Sequence, residues 1–386
     1  MQPGEFRILA INPGSTSTKI AVFVNESADF VKNIVHSDAE MAQFHGRAVL
    51  EQQRFRSERI EAALSEAGHN VRQLDAVVGR GGLLPALASG TYIVNQEMLA
   101  ELRLGRRGEH AANLGAFLAY DIAQKTGIQA FIVDPVSVDE WPDCARLSGS
   151  ALLERQCLSH ALNSKAVAKR HARECGRGYE SLRLIVAHLG SGISVSAHQN
   201  GLMVDATNSR EEGAFSTERA GGVPVMQLVD LCFSGRYTQK EVEGLLFREG
   251  GLYSYLGTKD LVEVERRIAG GEARAKAVFD AMVYQIAKEI GAMAAVLHGH
   301  VDAVLFTGGM AHSQRLVSVL TEYVRWIAPV TIYPGEDELQ ALAEGALRVL
   351  CHEEPSRALA LDSGAVIEVQ DDVLKCPNFG SPINHS

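Results

Sequence analysis

The absences in this chain narrow its function first. Positive charge is not in excess: 37 Lys and Arg stand against 47 Asp and Glu, a formal net charge of -10. Nucleic-acid backbones and anionic membranes select a basic face, so neither is an expected partner. No apolar run is long enough to span a bilayer and no secretory signal opens the sequence, so the expectation is a cytoplasmic protein. The 6 cysteines (Cys144, Cys157, Cys175, Cys232, Cys351, Cys376) are scattered without a C-x-x-C, and read as reduced thiols rather than a disulfide framework or zinc site. Missing too are G-x-x-x-x-G-K-[ST], a G-x-G-x-x-G opening a helix, and the H-R-D and D-F-G pair of protein kinases. Neither H-E-x-x-H nor G-x-S-x-G occurs, against metalloprotease and α/β-hydrolase chemistry.

What is present suits two domains: 386 residues, 46% hydrophobic and 22% charged. The organising stretch is residues 8–24, I-L-A-I-N-P-G-S-T-S-T-K-I-A-V-F-V. Two short apolar runs flank a polar turn that contains Pro13-Gly14, which reads as strand, turn, strand. Hydroxyls and backbone N–H groups of such a turn can surround a phosphate, and Lys19 can neutralise it. An ordinary Ser/Thr-rich turn is the competing reading.

Helical spacing follows at residues 51–67, 96–103 and 113–125, with strands at 74–78 and 130–133. The first of these strands runs into Gly79-Arg80-Gly81-Gly82 and the second into Asp134-Pro135, and strand ends of this kind are where ligands gather in α/β sheets. A helix at 161–173 precedes a second strand–glycine turn–strand, 182–197, around His188-Leu189-Gly190-Ser191-Gly192. It echoes the first hairpin about half a chain later and suggests two halves of similar build. An unrelated second hairpin is the alternative. Thr238 and Glu241 have capping-box spacing. The strongest helix is 273–297, whose apolar stripe reads as core, and residues 301–306 form a strand entering Thr307-Gly308-Gly309. Three glycine turns after apolar strands, in a two-half chain, point to one nucleotide between the halves.

At this point the residues resemble a known family. The segments Ile11-Asn12-Pro13-Gly14-Ser15-Thr16-Ser17-Thr18-Lys19, Val78-Gly79-Arg80-Gly81-Gly82, Gly108-Glu109-His110-Ala111-Ala112-Asn113, Val133-Asp134-Pro135, His160-Ala161-Leu162-Asn163, Ala187-His188-Leu189-Gly190, Phe215-Ser216-Thr217-Glu218-Arg219, Thr307-Gly308-Gly309 and Pro334-Gly335-Glu336-Asp337-Glu338 run in order from about residue 8 to about 350. Together they are similar to the acetokinase family of the actin/sugar-kinase/Hsp70-type ATPases, and Pro13 with the Gly-Arg-Gly-Gly turn resembles its butyrate branch more than its acetate branch. The resemblance implies an α/β fold of two actin-like (ribonuclease-H-like) domains with mixed sheets around a central nucleotide cleft. It implies residues 1–160 on the acyl side, with 339–386 returning to them, and 161–338 on the nucleotide side. It implies phosphorylation of a short-chain carboxylic acid by ATP to an acyl phosphate and ADP, with Mg²⁺, in a homodimer or higher homo-oligomer.

By the same resemblance, Arg80 grips the substrate carboxylate, while Arg219 and His160 flank the phosphoryl group in flight. Asp134 and an acid of the 336–338 run, Asp337 or Glu338, hold Mg²⁺. Asn12, Ser15, Ser17 and Lys19 line the phosphate path, His188 with Gly190, Ser191 and Gly192 holds the β-phosphate, and Gly308 with Gly309 lies against adenosine. Structural alternatives accompany these roles: a surface ion pair for Arg80 and helix N-terminal acids for 336–338; His298-Gly299-His300 could suggest a metal pair, but it follows a helix end and reads as capping or surface. Ser191 departs from the glycine of the butyrate branch and the asparagine of the acetate branch. The two competing functions are an alcohol or sugar kinase of the same superfamily, which wants a carboxylate base aimed at the hydroxyl, and a non-catalytic ATP-binding sensor. Residues 358–369 alternate somewhat like a strand pair, with no function assigned.

Overall fold

A computed structural model describes residues 5–360 of the chain. The expected tail strand pair at 358–369 therefore lies almost wholly outside the described residues. The twelve strands are β1 (Arg7–Pro13), β2 (Ser17–Val24), β3 (Ser27–Val35), β4 (Ala76–Arg80), β5 (Thr91–Ile93), β6 (Gln129–Val133), β7 (Arg183–Leu189), β8 (Ile193–Gln199), β9 (Leu202–Ala206), β10 (Ala303–Gly308), β11 (Val330–Pro334) and β12 (Arg357–Ala358). Six helices position the site: α1 (Gln53–Glu66), α2 (Asn113–Gln124), α3 (Ala161–Glu174), α4 (Val225–Cys232), α5 (Ala273–Val296) and α6 (Glu338–Leu350).

The strands form two mixed sheets, in the orders β12-β5-β6-β4-β1-β2-β3 and β11-β10-β7-β8-β9. Set aside β5 and β12, and the two sheets are the same object. In the first, β1 pairs antiparallel with β2, β2 antiparallel with β3, and β4 lies parallel to both β1 and β6. In the second, β7, β8 and β9 repeat the antiparallel meander, and β10 lies parallel to both β7 and β11. The echo between the two hairpins is thus a repeat of whole sheets.

The central strands are apolar on both faces, because helices cover both. Leu9, Ile11 and Val77 join Leu114, Phe117 and Leu118 of α2 in one core. On the opposite face, Ile8, Ala10 and Val78 pack on Leu342, Ala343 and Ala346 of α6. Among the described residues, the last helix thus returns to the sheet that holds the first strand. In the second sheet, Ile185, Ala187 and Phe306 pack on the α5 stripe Phe279, Met282, Val283 and Ile286. That stripe is core. α3 serves both sheets: Leu162 and Ala166 face the first, while Val167, Ala168 and Ala172 join a cluster on the second.

Candidate active site

Arg80 ends β4 on a backbone that only glycine permits. A Cβ on Gly79 would lie 2.1 Å from the Gly115 carbonyl oxygen at the start of α2, and one on Gly115 would lie 2.1 Å from that of Arg80. This close strand–helix contact fixes where the guanidinium emerges. Arg80 forks onto the carboxylate of Glu338, the first residue of α6, at 3.0 and 3.1 Å, and donates at 3.4 Å to Asn12 Oδ1 at the end of β1. Asn12 Nδ2 also donates to Glu338. A small cavity brings Arg80, Asp134, His160, Asn163 and Glu338 together, with Val136 and Leu162 on its walls.

Asp134 is 4% exposed and sits at φ 37° just past β6. Its Oδ1 accepts from the Ser89 hydroxyl (2.6 Å) and the Gly90 N–H (2.8 Å), so two donors hold the carboxylate in that unusual backbone. His160 precedes α3 and stacks flat on His188, ring centroids 3.7 Å apart. Its Nδ1 meets Ser194 Oγ at 2.9 Å, which leaves Nε2 for a ligand. Burial, and then the positive surroundings of His188, Arg219 and Arg80, hold it well below the ordinary histidine range, so it is neutral at pH 7. In β7, His188 is fixed at both nitrogens: Asn163 Nδ2 donates to Nδ1 (2.8 Å), and Nε2 lies 3.1 Å from Glu336. That hydrogen bond draws the Glu336 carboxyl below its usual range.

The acid run divides by direction. Glu336 reaches His188 and Glu338 reaches Arg80, whereas Asp337 lines a separate cavity of about 480 Å³ behind the cleft, between α3, β11 and α6. Arg219 lies over Gly192, where a Cβ would stand 2.5 Å from its Nη1, and it donates to the carbonyl (3.0 Å) and hydroxyl (3.2 Å) of Ser209. Ser216, from the same segment, donates to the Ser191 carbonyl, so this loop is braced through its backbone. Gly190 is pressed between His188 and Glu336, and Gly308, at φ 90°, abuts the Leu189 carbonyl. Beyond them opens a cavity of about 660 Å³ lined by Gly190, Ser191, Gly309, Met310, Lys259 and Arg315. Ser15 and Ser17 turn their carbonyls inward, and Lys19 lies near enough to help hold Glu336 ionised.

The sequence reading did not assign His110. It is open to solvent by surface area, yet its pKa is pushed down to about 4 by burial in the cleft and by Arg80 and Arg219. Its segment was among those quoted, which was the available signal. Asn163, which sets the His188 ring, was likewise quoted without a role.

The donor chemistry also bears on a metal. Among the described residues no three His, Cys, Asp or Glu converge on one point. A hard divalent ion that keeps its waters takes only one or two carboxylates beside phosphate oxygens, and Asp134 and Glu338 on one cavity supply two. The residues fit such an ion.

Two sheets of one topology, meeting at glycine turns and cationic side chains, define an actin-like ATPase fold with an anion-handling cleft. The model of the acetokinase family matches residues 151–333. Butyrate kinase 2 of Clostridium acetobutylicum is 49% identical over 92% of this chain and 99% of its own. Among solved structures, acetate kinase of Porphyromonas gingivalis superposes with a TM-score of 0.74 at 20% identity, over 89% of this chain and 100% of that one. A propionate kinase of Francisella tularensis gives 0.70 at 17%, over 88% and 98%. The chain belongs to the acetokinase family.

Proposed function

We propose that this chain transfers the terminal phosphoryl group of ATP to the carboxylate of butyrate or a similar short or branched acid, giving an acyl phosphate and ADP, and catalyses the reverse. The observation that carries this reading is Arg80. Its fork already holds a carboxylate, that of Glu338, beside His160 and within the field of Arg219. A fatty acid presents the same planar group, and guanidinium matches it bidentately. With an acid pKa of about 4, the nucleophile is ionised at neutral pH and needs no general base. What it needs is relief from repulsion by the triphosphate. Arg80 holds it in place, Arg219 offsets charge on the phosphoryl oxygens, and neutral His160, its Nδ1 on Ser194, presents Nε2–H to them as a donor without adding net charge.

Mg²⁺, when bound, would screen the β- and γ-phosphates, and Asp134 and Glu338 are the carboxylates that would hold it. With Glu338 among the residues that would hold the ion, Arg80 would be the cation left to the substrate carboxylate. Ser15, Ser17 and Lys19 are assigned to the terminal phosphates, His188 and Gly190–Gly192 to the β-phosphate, and Gly308 and Gly309 to the nucleoside side. On this reading residues 1–160, with α6, form the acyl lobe and 161–338 the nucleotide lobe, acting in the cytoplasm. An alcohol acceptor is disfavoured because Glu336 and Glu338 are both committed to cationic or histidine partners, which leaves them poor bases.

Hydroxamate trapping of acyl phosphate over acetate, propionate, butyrate, isobutyrate and isovalerate tests the reading. Product is expected with the four-carbon acids, and none from any acid overturns it. In the same assay Arg219→Ala should lose about 100-fold or more in turnover, with the Kd for ATP changed less than threefold.

A further inference from the structure

Arg56, on α1, lies directly behind the β1–β2 turn and is 1% exposed. All five of its N–H groups are engaged. Nε (3.0 Å) and Nη2 (2.8 Å) donate to Gln52 Oε1, Nη1 donates to the Ser17 carbonyl and Thr18 Oγ1 (both 3.0 Å), and Nη2 donates to the Ser15 carbonyl (3.0 Å). Every acceptor is neutral. Among the described residues no carboxylate pairs with it, and burial alone shifts it, down to about 10, so it remains a cation at neutral pH.

A buried charge balanced only by dipoles is costly and is ordinarily paired. The turn in front of it is exposed at Ser15 and Thr16, so an anion can approach from that side. The geometry prepares that side. A trans peptide points N–H opposite to C=O. Drawing the Ser15 carbonyl onto Arg56 therefore aims the Thr16 N–H outward, and the turn is closed by Gly14 N–H to Ser17 O at 2.8 Å. The adjoining histidine adds no second cation. Thr18 Oγ1 accepts from Arg56 and is hydrogen-bonded to His36 Nε2, 2.9 Å away. This leaves His36 Nδ1 buried without a partner and the ring neutral, its pKa held down to about 4 by burial and by Arg56.

We propose that Arg56 is a positioning residue for phosphate, a fixed cation behind the turn that presets its backbone and supplies charge to the terminal phosphates on its other face. This rests on the ATP reading above. It is tested by calorimetric titration of ATP, ADP and AMP into the native chain, Arg56→Met and Arg56→Lys. Arg56→Met is expected to weaken ATP on the order of 30-fold, ADP less, and AMP within about twofold; Arg56→Lys, which keeps the charge, restores most of the ATP affinity. Equal losses for ATP and AMP, or a folded Arg56→Lys no better than Arg56→Met, overturn the proposal. If Arg56→Met does not fold, Arg56→Lys decides alone: ATP affinity within about fivefold of native supports the role, and loss of ATP and AMP together removes it. A native chain that binds no ATP sinks the carboxylate-kinase reading itself. A native chain that binds ATP, with Arg56→Met binding all three nucleotides equally well, sinks only the role of Arg56.

Discussion

Arg80 shows how a single side chain can be held in a carboxylate-binding pose. Its charge is met by Glu338, which is itself one of the two carboxylates that would hold a divalent ion. Three other side chains, His36, His160 and His198, make the opposite choice and stay neutral. His36 is held down to about 4 and His198 to about 3, burial being the leading cause for each, and His160 is held well below the ordinary range. The sign follows: below pH 6.5 the unfolded chain binds protons that the folded chain refuses, so stability falls as pH drops from about 6.5 toward 4 and 3. Each fully buried ring removes up to ~1.4 kcal/mol per pH unit in that window. Urea midpoints at pH 7, 6 and 5 should therefore decline steadily, and a flat profile would exclude buried neutral histidines. At this scale the sequence showed the candidate residues but not their partners. Arg80 was legible as a candidate for holding a carboxylate, but nothing in residues 78–82 says that Glu338, 258 positions away, pairs with it.

The elements explain why these side chains arrive together. β4 and α2 touch backbone to backbone at Gly79 and Gly115, and the guanidinium of Arg80 starts from that contact. Gly115→Ala should destabilise the protein by ~2 kcal/mol or more and reduce acyl phosphate formation, read by urea unfolding and hydroxamate assay; native stability would mean that the helix can retreat without moving Arg80. The glycine turns, α2, α5 and the Thr238–Glu241 capping box were readable from local patterns. β3 was not anticipated: at this sheet edge Phe30 and Ile34 are half-buried against the core while Val31 and Val35 on the other face are exposed, so apolar residues fall on both faces and the sequence of Ser27–Val35 does not alternate. The acid run read as one candidate group. It proved to be a crossing between sheets, where adjacent side chains diverge: Glu336 and Glu338 into the cleft, Asp337 behind it.

At the scale of the whole molecule, one surface is unfinished. α4 has no buried residue, and Val225 and Met226 are each 70% exposed, with Phe233 beyond it 87% exposed. An exposed apolar strip of this kind is a candidate association surface. In residues 221–235 Asp230 is the sole charged residue, so two acidic chains could meet there without strong repulsion. The native protein is expected to exceed the 41.7 kDa of one chain in light-scattering chromatography. Val225→Asp with Phe233→Asp is expected to reduce it to that mass with unchanged circular dichroism. A native monomer would leave α4 without this explanation.

The sequence by itself determined the class: short-range order puts apolar strands before glycine turns, and the order of the motifs along the chain carries the family and, with it, the chemistry. Local patterns can do this because turns, strands and helix stripes are set by neighbours within a few residues. Only the tertiary structure decided which charges meet. The pairing of Arg80 with Glu338, the stacking of His160 on His188, and the seat of Arg56 behind its turn join residues from separate elements, and Coulomb and hydrogen-bond energies depend on distance in space, to which distance along the chain is no guide.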